Sequence, residues 1–227
     1  MRYMELLAQK KPTLIMSLPE NNPEFAKIAF DNGADVVKVH VNLHHHASQH
    51  QFATFEQECD KLVRILSNAK GPCGIVAGQD VEQVRKIYLD IVDLGFEFIS
   101  LYAHHTPLEL LRCDKIKKMI AFDNTYDLGD LRYLAQIGAD VFEASVMAPD
   151  TYGQPLSSRE LVTYKRICKN TGLPVVIPTQ RKIRPDEMEQ LMDCGISGIM
   201  IGAMVTGLLG ESIGAAVAAF RKAIDRL

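Results

Sequence analysis

Four stretches of this chain share one design, a glycine followed by a short apolar run: NGADVVKVHVN, LGFEFISLYAH, IGADVFEASVM and CGISGIMIGAM. Each follows an amphipathic stretch of helical period, so the glycine ends a helix and the run begins a strand. Aligned on Gly33, Gly95, Gly138 and Gly195, the fourth, sixth and eighth positions are all apolar. They are Val37, Val39, Val41; Ile99, Leu101, Ala103; Phe142, Ala144, Val146; and Ile199, Ile201, Ala203. Side chains alternate along a strand, so this face meets the helices. The opposite face carries Lys38, Ser100, Glu143 and Met200, then His40, Tyr102, Ser145 and Gly202, then Asn42, His104, Met147 and Met204. A face this polar does not belong to an ordinary core.

The same alternation runs from end to end. Strands are expected at Thr13–Leu18, Val36–Val41, Cys73–Ala77, Phe96–Ala103, Lys118–Phe122, Val141–Met147, Pro174–Pro178 and Ile199–Ala203. Helices are expected at Pro23–Asn32, Phe55–Ala69, Val81–Leu94, Leu108–Arg112, Leu128–Ile137, Ser158–Asn170, Pro185–Cys194 and Ser212–Leu227. Eight strands alternating with helices make a parallel sheet, and the repeat favours closure into one α/β (β/α)8 TIM barrel spanning residues 1–227. In such a barrel, four side chains from alternate strands fill one interior layer. Lys38 and Glu143 then share a layer and project toward the axis from opposite walls.

Charge and composition exclude several classes. A formal net charge of −3, with no basic run, argues against nucleic acid. The start, MRYMELLAQKKP, lacks the apolar core of a signal peptide, and no apolar run is long enough to span a membrane. The five cysteines are scattered, as in a cytoplasmic protein with reduced thiols. The oligomeric state, a homo-oligomer included, is left open.

Lys38 is the sharpest catalytic candidate. An ammonium inside a barrel is costly to bury without a partner, and a desolvated lysine suits proton transfer or Schiff-base formation. Glu143 is its partner or a general base. Asp123, in AFDNTYD, is placed to do similar work, and His40 points into the barrel. Asn42, Tyr102, His104, Ser145 and Gln180 are expected to bind substrate. Each has a bland counterpart: a structural Lys38–Glu143 pair, and a helix cap at Asp123.

The segment CGISGIMIGAMVTG runs strand, small residues, helix start. That sequence makes a phosphate cradle from the backbone of Gly202 and Ala203. Arg181, just past the seventh strand, supplies a guanidinium fork beside it, unless the Arg181–Lys182 turn is merely a solvated basic loop. No cofactor is expected. A divalent metal is the lesser alternative: in HHHASQH, His46 and His50 share a face if the segment is helical, and His40 could join them. No carboxylate sits at motif spacing, and a solvated histidine-rich loop is the simpler reading.

On these residues the chain resembles the phosphate-binding (β/α)8 barrels, and within them the N-acylglucosamine-6-phosphate 2-epimerases. GADVFEASV, TGLPVVIP, Arg181, the RPDE turn and IGAMVT follow that family's order; TLIMS and the HVN around Asn42 fit loosely. The resemblance implies a barrel fold, a phosphate site and chemistry on amino-sugar phosphates. The family's lysine at the end of the third strand is absent from CGIVAGQD. Its glutamate after the seventh strand is replaced in PTQR by Thr179 and Gln180.

The expected function is an enzyme of small phosphorylated sugars or sugar-like metabolites, an isomerase or epimerase working beside a carbonyl. The alternatives are a Schiff-base or metal-assisted aldolase or lyase, and a barrel that only binds a phosphorylated ligand. They separate on whether Lys38 and Glu143 face a cavity or a sealed core.

Overall fold

The computed structural model describes residues 1–227. Eight parallel strands close into a barrel. They are β1 (Thr13–Ser17), β2 (Val36–His40), β5 (Cys73–Val76), β6 (Phe98–Tyr102), β7 (Lys117–Ala121), β8 (Val141–Glu143), β9 (Val175–Pro178) and β10 (Gly198–Ile201). β1 closes the barrel by pairing with β10, Thr13 opposite Gly198. The expected strands are therefore all present, five shorter by one residue, Phe96–Ala103 by three and Val141–Met147 by four, while Lys118–Phe122 keeps its length one residue earlier. The outer helices are α2 (Pro23–Asp31), α3 (Phe55–Ser67), α4 (Val81–Leu94), α5 (Leu108–Leu111), α6 (Ser158–Thr171), α7 (Met188–Cys194), the short α8 (Ala203–Thr206) and α9 (Gly210–Asp225). No helix is long and apolar enough to cross a membrane.

The four aligned glycines do what their spacing demands. Gly33, Gly95, Gly138 and Gly195 take φ of 101°, 101°, 104° and 94°. That left-handed conformation turns the chain from α2, α4 and α7, and at Gly138 from a run of turns, into the next strand at little steric cost, as glycine readily allows.

Three elements depart from expectation. Leu128–Ile137 is not an α-helix; Asp130–Tyr133 forms a 3₁₀ turn. Its one buried residue is Leu131, and Leu134, which follows the turn directly, is buried three residues on, the spacing that eclipses in a 3₁₀ helix. The histidine-rich segment is neither helix nor open loop. It forms an antiparallel hairpin, β3 (Leu43–His45) with β4 (His50–Phe52), in which His45 pairs with His50. His46 and His50 thus do not share a helical face. Finally, Tyr3–Leu7 forms a short helix, α1, under the barrel.

Strand alternation and register stack the barrel interior in layers. The lowest two hold Val36, Phe98, Val141 and Gly198, then Ile15, Gly74, Met119 and Val176, all buried or thin. Tyr3, Leu6 and Leu7 of α1 cover them from below. The Tyr3 ring stacks on Phe98 at 4.1 Å between centroids. Phe98 fills the axis so fully that a Cβ on Gly74 would lie 2.0 Å from its Cζ. The barrel floor is therefore sealed by apolar packing, and space opens only above it.

Candidate functional site

The next layer is the one read from the sequence. Lys38, Ser100, Glu143 and Met200 meet around the axis. β2 and β8 stand on opposite walls, and Lys38 Nζ reaches Glu143 Oε2 at 3.2 Å. Ser100 donates its hydroxyl to the same oxygen at 2.7 Å. Both bonds fall on Oε2, which leaves Oε1 to a ligand. Above lie Ser17, Val76, Ala121 and Pro178, and then His40, Tyr102, Ser145 and Gly202. All of these line one cavity of about 190 Å³ that opens at the C-terminal mouth. Lys38 and Glu143 form its floor, so the pair faces a cavity and not a sealed core.

One wall is a hydrogen-bonded chain of hydroxyls and an amide. Tyr102 donates to Ser145 Oγ at 3.1 Å, and Gln180 Nε2 donates to the same oxygen at 3.1 Å and also to the Tyr152 hydroxyl. The Met147 amide donates to Gln180 Oε1 at 3.1 Å, which fixes the orientation of that side chain. Burial raises both Tyr102 and Tyr152 above the usual phenol range, so both stay protonated donors near neutral pH.

The opposite wall is imidazole. His40 is 1% exposed, and its Nε2 lies 3.3 Å from Ser17 Oγ while Nδ1 is buried without a partner. Its backbone is clamped at both N–H and C=O by the Asn21 side chain. The hairpin folds over it: His45 lies 4.6 Å and Phe52 4.8 Å from the His40 ring. Burial drives His40 well below the ordinary imidazole range, helped by repulsion from His45, Lys38 and His50. Burial and the Lys38 charge lower His45 to about 4. At the hairpin tip His46 meets the Tyr152 ring edge-on at 5.4 Å, so the hairpin bridges the mouth.

Several expected residues stand elsewhere. Arg181 is 9% exposed and turned away from the cavity. Its guanidinium donates to Glu160 at 2.8 Å, to the Thr151 carbonyl at 2.7 Å and to Gln154 at 3.2 Å. An arginine this engaged is tying α6 to the loop before it, and is not the fork beside the cradle that its position after the seventh strand suggests. Asp123 caps its own turn, accepting from the Thr125 amide and hydroxyl, and lies outside the cavity. Its helix-cap reading is close to what is seen, although a turn follows instead of an α-helix. Asn42 is also outside. It adopts φ 58° where the chain leaves β2 and donates to the Ala77 carbonyl at 3.1 Å, so it braces the hairpin. His104 is exposed, stacked beside Tyr102, and the cavity is lined by its neighbour His105 instead.

The cradle itself is partly used. The Gly202 amide donates to Thr179 Oγ1 at 3.1 Å. The Ala203 and Met204 amides, at the start of α8, find no protein acceptor, and both residues line the cavity. No group of three or more His, Cys, Asp or Glu side chains is arranged to hold a metal ion. Sequence reasoning missed Ser17, Tyr152, Thr179 and the cavity-facing side of the hairpin. For Ser17, its place at the end of the first strand was an available signal; the others required the loops to be folded.

No family model matches the chain, and no curated protein matches it. Solved structures do. Tryptophan synthase from Mycobacterium tuberculosis aligns with a TM-score of 0.75 at 13% identity, covering 97% of this chain and 95% of that one. Phosphoribosyl anthranilate isomerase from Thermus thermophilus aligns at 0.66 and 14%, covering 93% and 98%. Thiamine phosphate pyrophosphorylase from Pyrococcus furiosus aligns at 0.65 and 14%, covering 96% of each. At such identities the likeness is one of fold, and the fold is the (β/α)8 barrel.

Proposed function

We propose that this barrel is an enzyme acting on a small phosphorylated carbonyl metabolite, a sugar phosphate or a relative of one. We further propose isomerisation or epimerisation by proton transfer beside the carbonyl. The observation that carries this reading is the Lys38–Glu143–Ser100 group on the floor of the cavity. Buried ion pairs are poor stabilisers and perturbable groups concentrate at sites of chemistry, so a charged pair facing open space favours use over support. In the proposed reaction Glu143, through Oε1, accepts the proton from the carbon next to the carbonyl. The Lys38 ammonium offsets the charge that develops on the carbonyl oxygen. Return of the proton from Glu143 to the neighbouring carbon, with the hydroxyl proton passing to the former carbonyl oxygen, completes an isomerisation; in an epimerisation the opposite face takes its proton from water and Glu143 releases its own to solvent. Tyr102, Ser145 and Gln180 are proposed to hold substrate hydroxyls, and the unpaired Ala203 and Met204 amides one end of the phosphate. Two of the three structural neighbours carry a phosphorylated compound in their names, which is compatible with this reading.

A Schiff-base lyase is the second reading. Lys38 is the single lysine of the cavity lining, which is the observation that favours it. The two separate experimentally. Incubation of a panel of sugar phosphates in deuterated water should place deuterium beside the carbonyl, and Glu143→Gln should abolish that exchange. Full exchange in Glu143→Gln would remove the carboxylate from the mechanism. Reductive trapping of substrate on Lys38 by borohydride would instead favour the lyase.

A further inference from the structure

The cavity has a charge problem if its ligand is an anion. Its one cation, Lys38, is already matched by Glu143, and the arginine expected at the mouth is held by Glu160. What the mouth does have is imidazole: His44, His45 and His46 of the hairpin line it, with His40 below and His105 across from them. Histidine is the side chain that can change charge near neutral pH.

We propose that His45 and His46, at the hairpin tip, form an anion subsite that becomes cationic by taking up a proton together with its ligand. The ligand class is a dianionic oxyanion, the phosphate end of a phosphorylated metabolite, and the proposal rests on the functional reading above. Its geometry is a clamp. The tip reaches Tyr152 through His46, and Gly153, next in the chain, packs near Met204, whose amide is unpaired. The two imidazoles line the same cavity as Ala203 and Met204, so one oxyanion at the mouth could draw on both sets of donors.

Burial and the charges around His45 favour its uncharged state until an anion arrives. His45 is faced by His40, Lys38, His44, His46 and His50, with Ser48 Oγ 2.7 Å from its Nδ1. His46 faces Tyr152. The one carboxylate in the cavity lining is Glu143, engaged with Lys38, and Asp80 acts on His105 across the mouth. Within the cavity lining no free carboxylate balances a charged tip, and a bound dianion would. Affinity then rises as pH falls, because protons and anion bind together.

Sulfate is the probe, since it stays dianionic throughout the range and cannot itself supply the pH dependence. Calorimetric titration in buffers of different ionisation enthalpy should show net proton uptake. The sulfate Kd should tighten as pH is lowered from about 7.5 toward about 5, approaching about tenfold per unit at the acid end, the slope of one proton per anion. His46→Gln and His45→Gln should each reduce that slope, while His104→Gln, exposed and outside the cavity, should leave it intact. Sulfate binding that is flat in pH, or a slope unchanged in both tip variants, would overturn the proposal. So would binding that depends on Lys38 and not on the tip. These titrations read the mouth alone, so deuterium exchange by Glu143 can fail while they succeed, and the reverse.

Discussion

The lower and upper halves of this barrel are built by the same strands and solve opposite problems. Below, Phe98, Met119, Val141 and Val176 pack to exclude space, and α1 closes the end with Tyr3. Above, two residues further along those strands, Ser100, Ala121, Glu143 and Pro178 surround a cavity. A step of two keeps a side chain on the same face, so position along the strand alone changes the environment from sealed to open. The difference teaches where to look for function: at the height where the alternating face stops being apolar.

Truncation below should act on stability. Phe98→Ala removes the ring that fills the axis and stacks on Tyr3, and should cost about 3–5 kcal/mol by urea unfolding. Little effect would mean that the floor is not the packed seal described.

Arg181→Ala tests whether that residue belongs to the site or to the scaffold. Loss of the guanidinium strands a buried Glu160, and the expected cost is about 3 kcal/mol, the low end for a broken buried pair. Ser157 still bonds Glu160 through its amide at 2.9 Å and its hydroxyl at 2.6 Å, which limits the damage. A stable Arg181→Ala with weakened anion binding would return the arginine to the phosphate site.

Acid should loosen the upper half first. His45 is held at about 4 in the folded protein against an ordinary 6.5. A depressed imidazole means that the unfolded chain binds the proton more readily. Stability is therefore whole above the ordinary value and declines as pH falls from there toward 4, by an amount on the order of 3 kcal/mol. Urea midpoints across that range should fall, and His45→Phe, which keeps a ring on His40, should flatten the slope. An unchanged slope would separate the hairpin from the acid response.

Much of this was legible in the sequence, and the omissions have physical reasons. The four glycines located the strands that follow them, and the alternation after each placed Lys38 opposite Glu143, because both signals are local and periodic. The hairpin was not legible: each of its strands has three residues, too few for a period, and only Leu43 and Phe52 mark its buried ends. Helix α1, five residues long, hides for the same reason. Arg181 was misplaced because its partner comes from α6, and no local pattern reveals which distant carboxylate will claim a guanidinium. Asp123 followed local chemistry, the bond to Thr125, where the barrel analogy suggested the mouth.

The central claim is that Lys38 and Glu143 are kept for chemistry and contribute little net stability. Urea unfolding of the double replacement Lys38→Met with Glu143→Leu tests it most directly, since apolar side chains of similar reach fill the layer without either charge. The unfolding midpoint should equal or exceed that of the parent protein. A loss of about 3–5 kcal/mol, the cost of breaking a buried pair, would show that the pair holds the barrel together and would contradict the account.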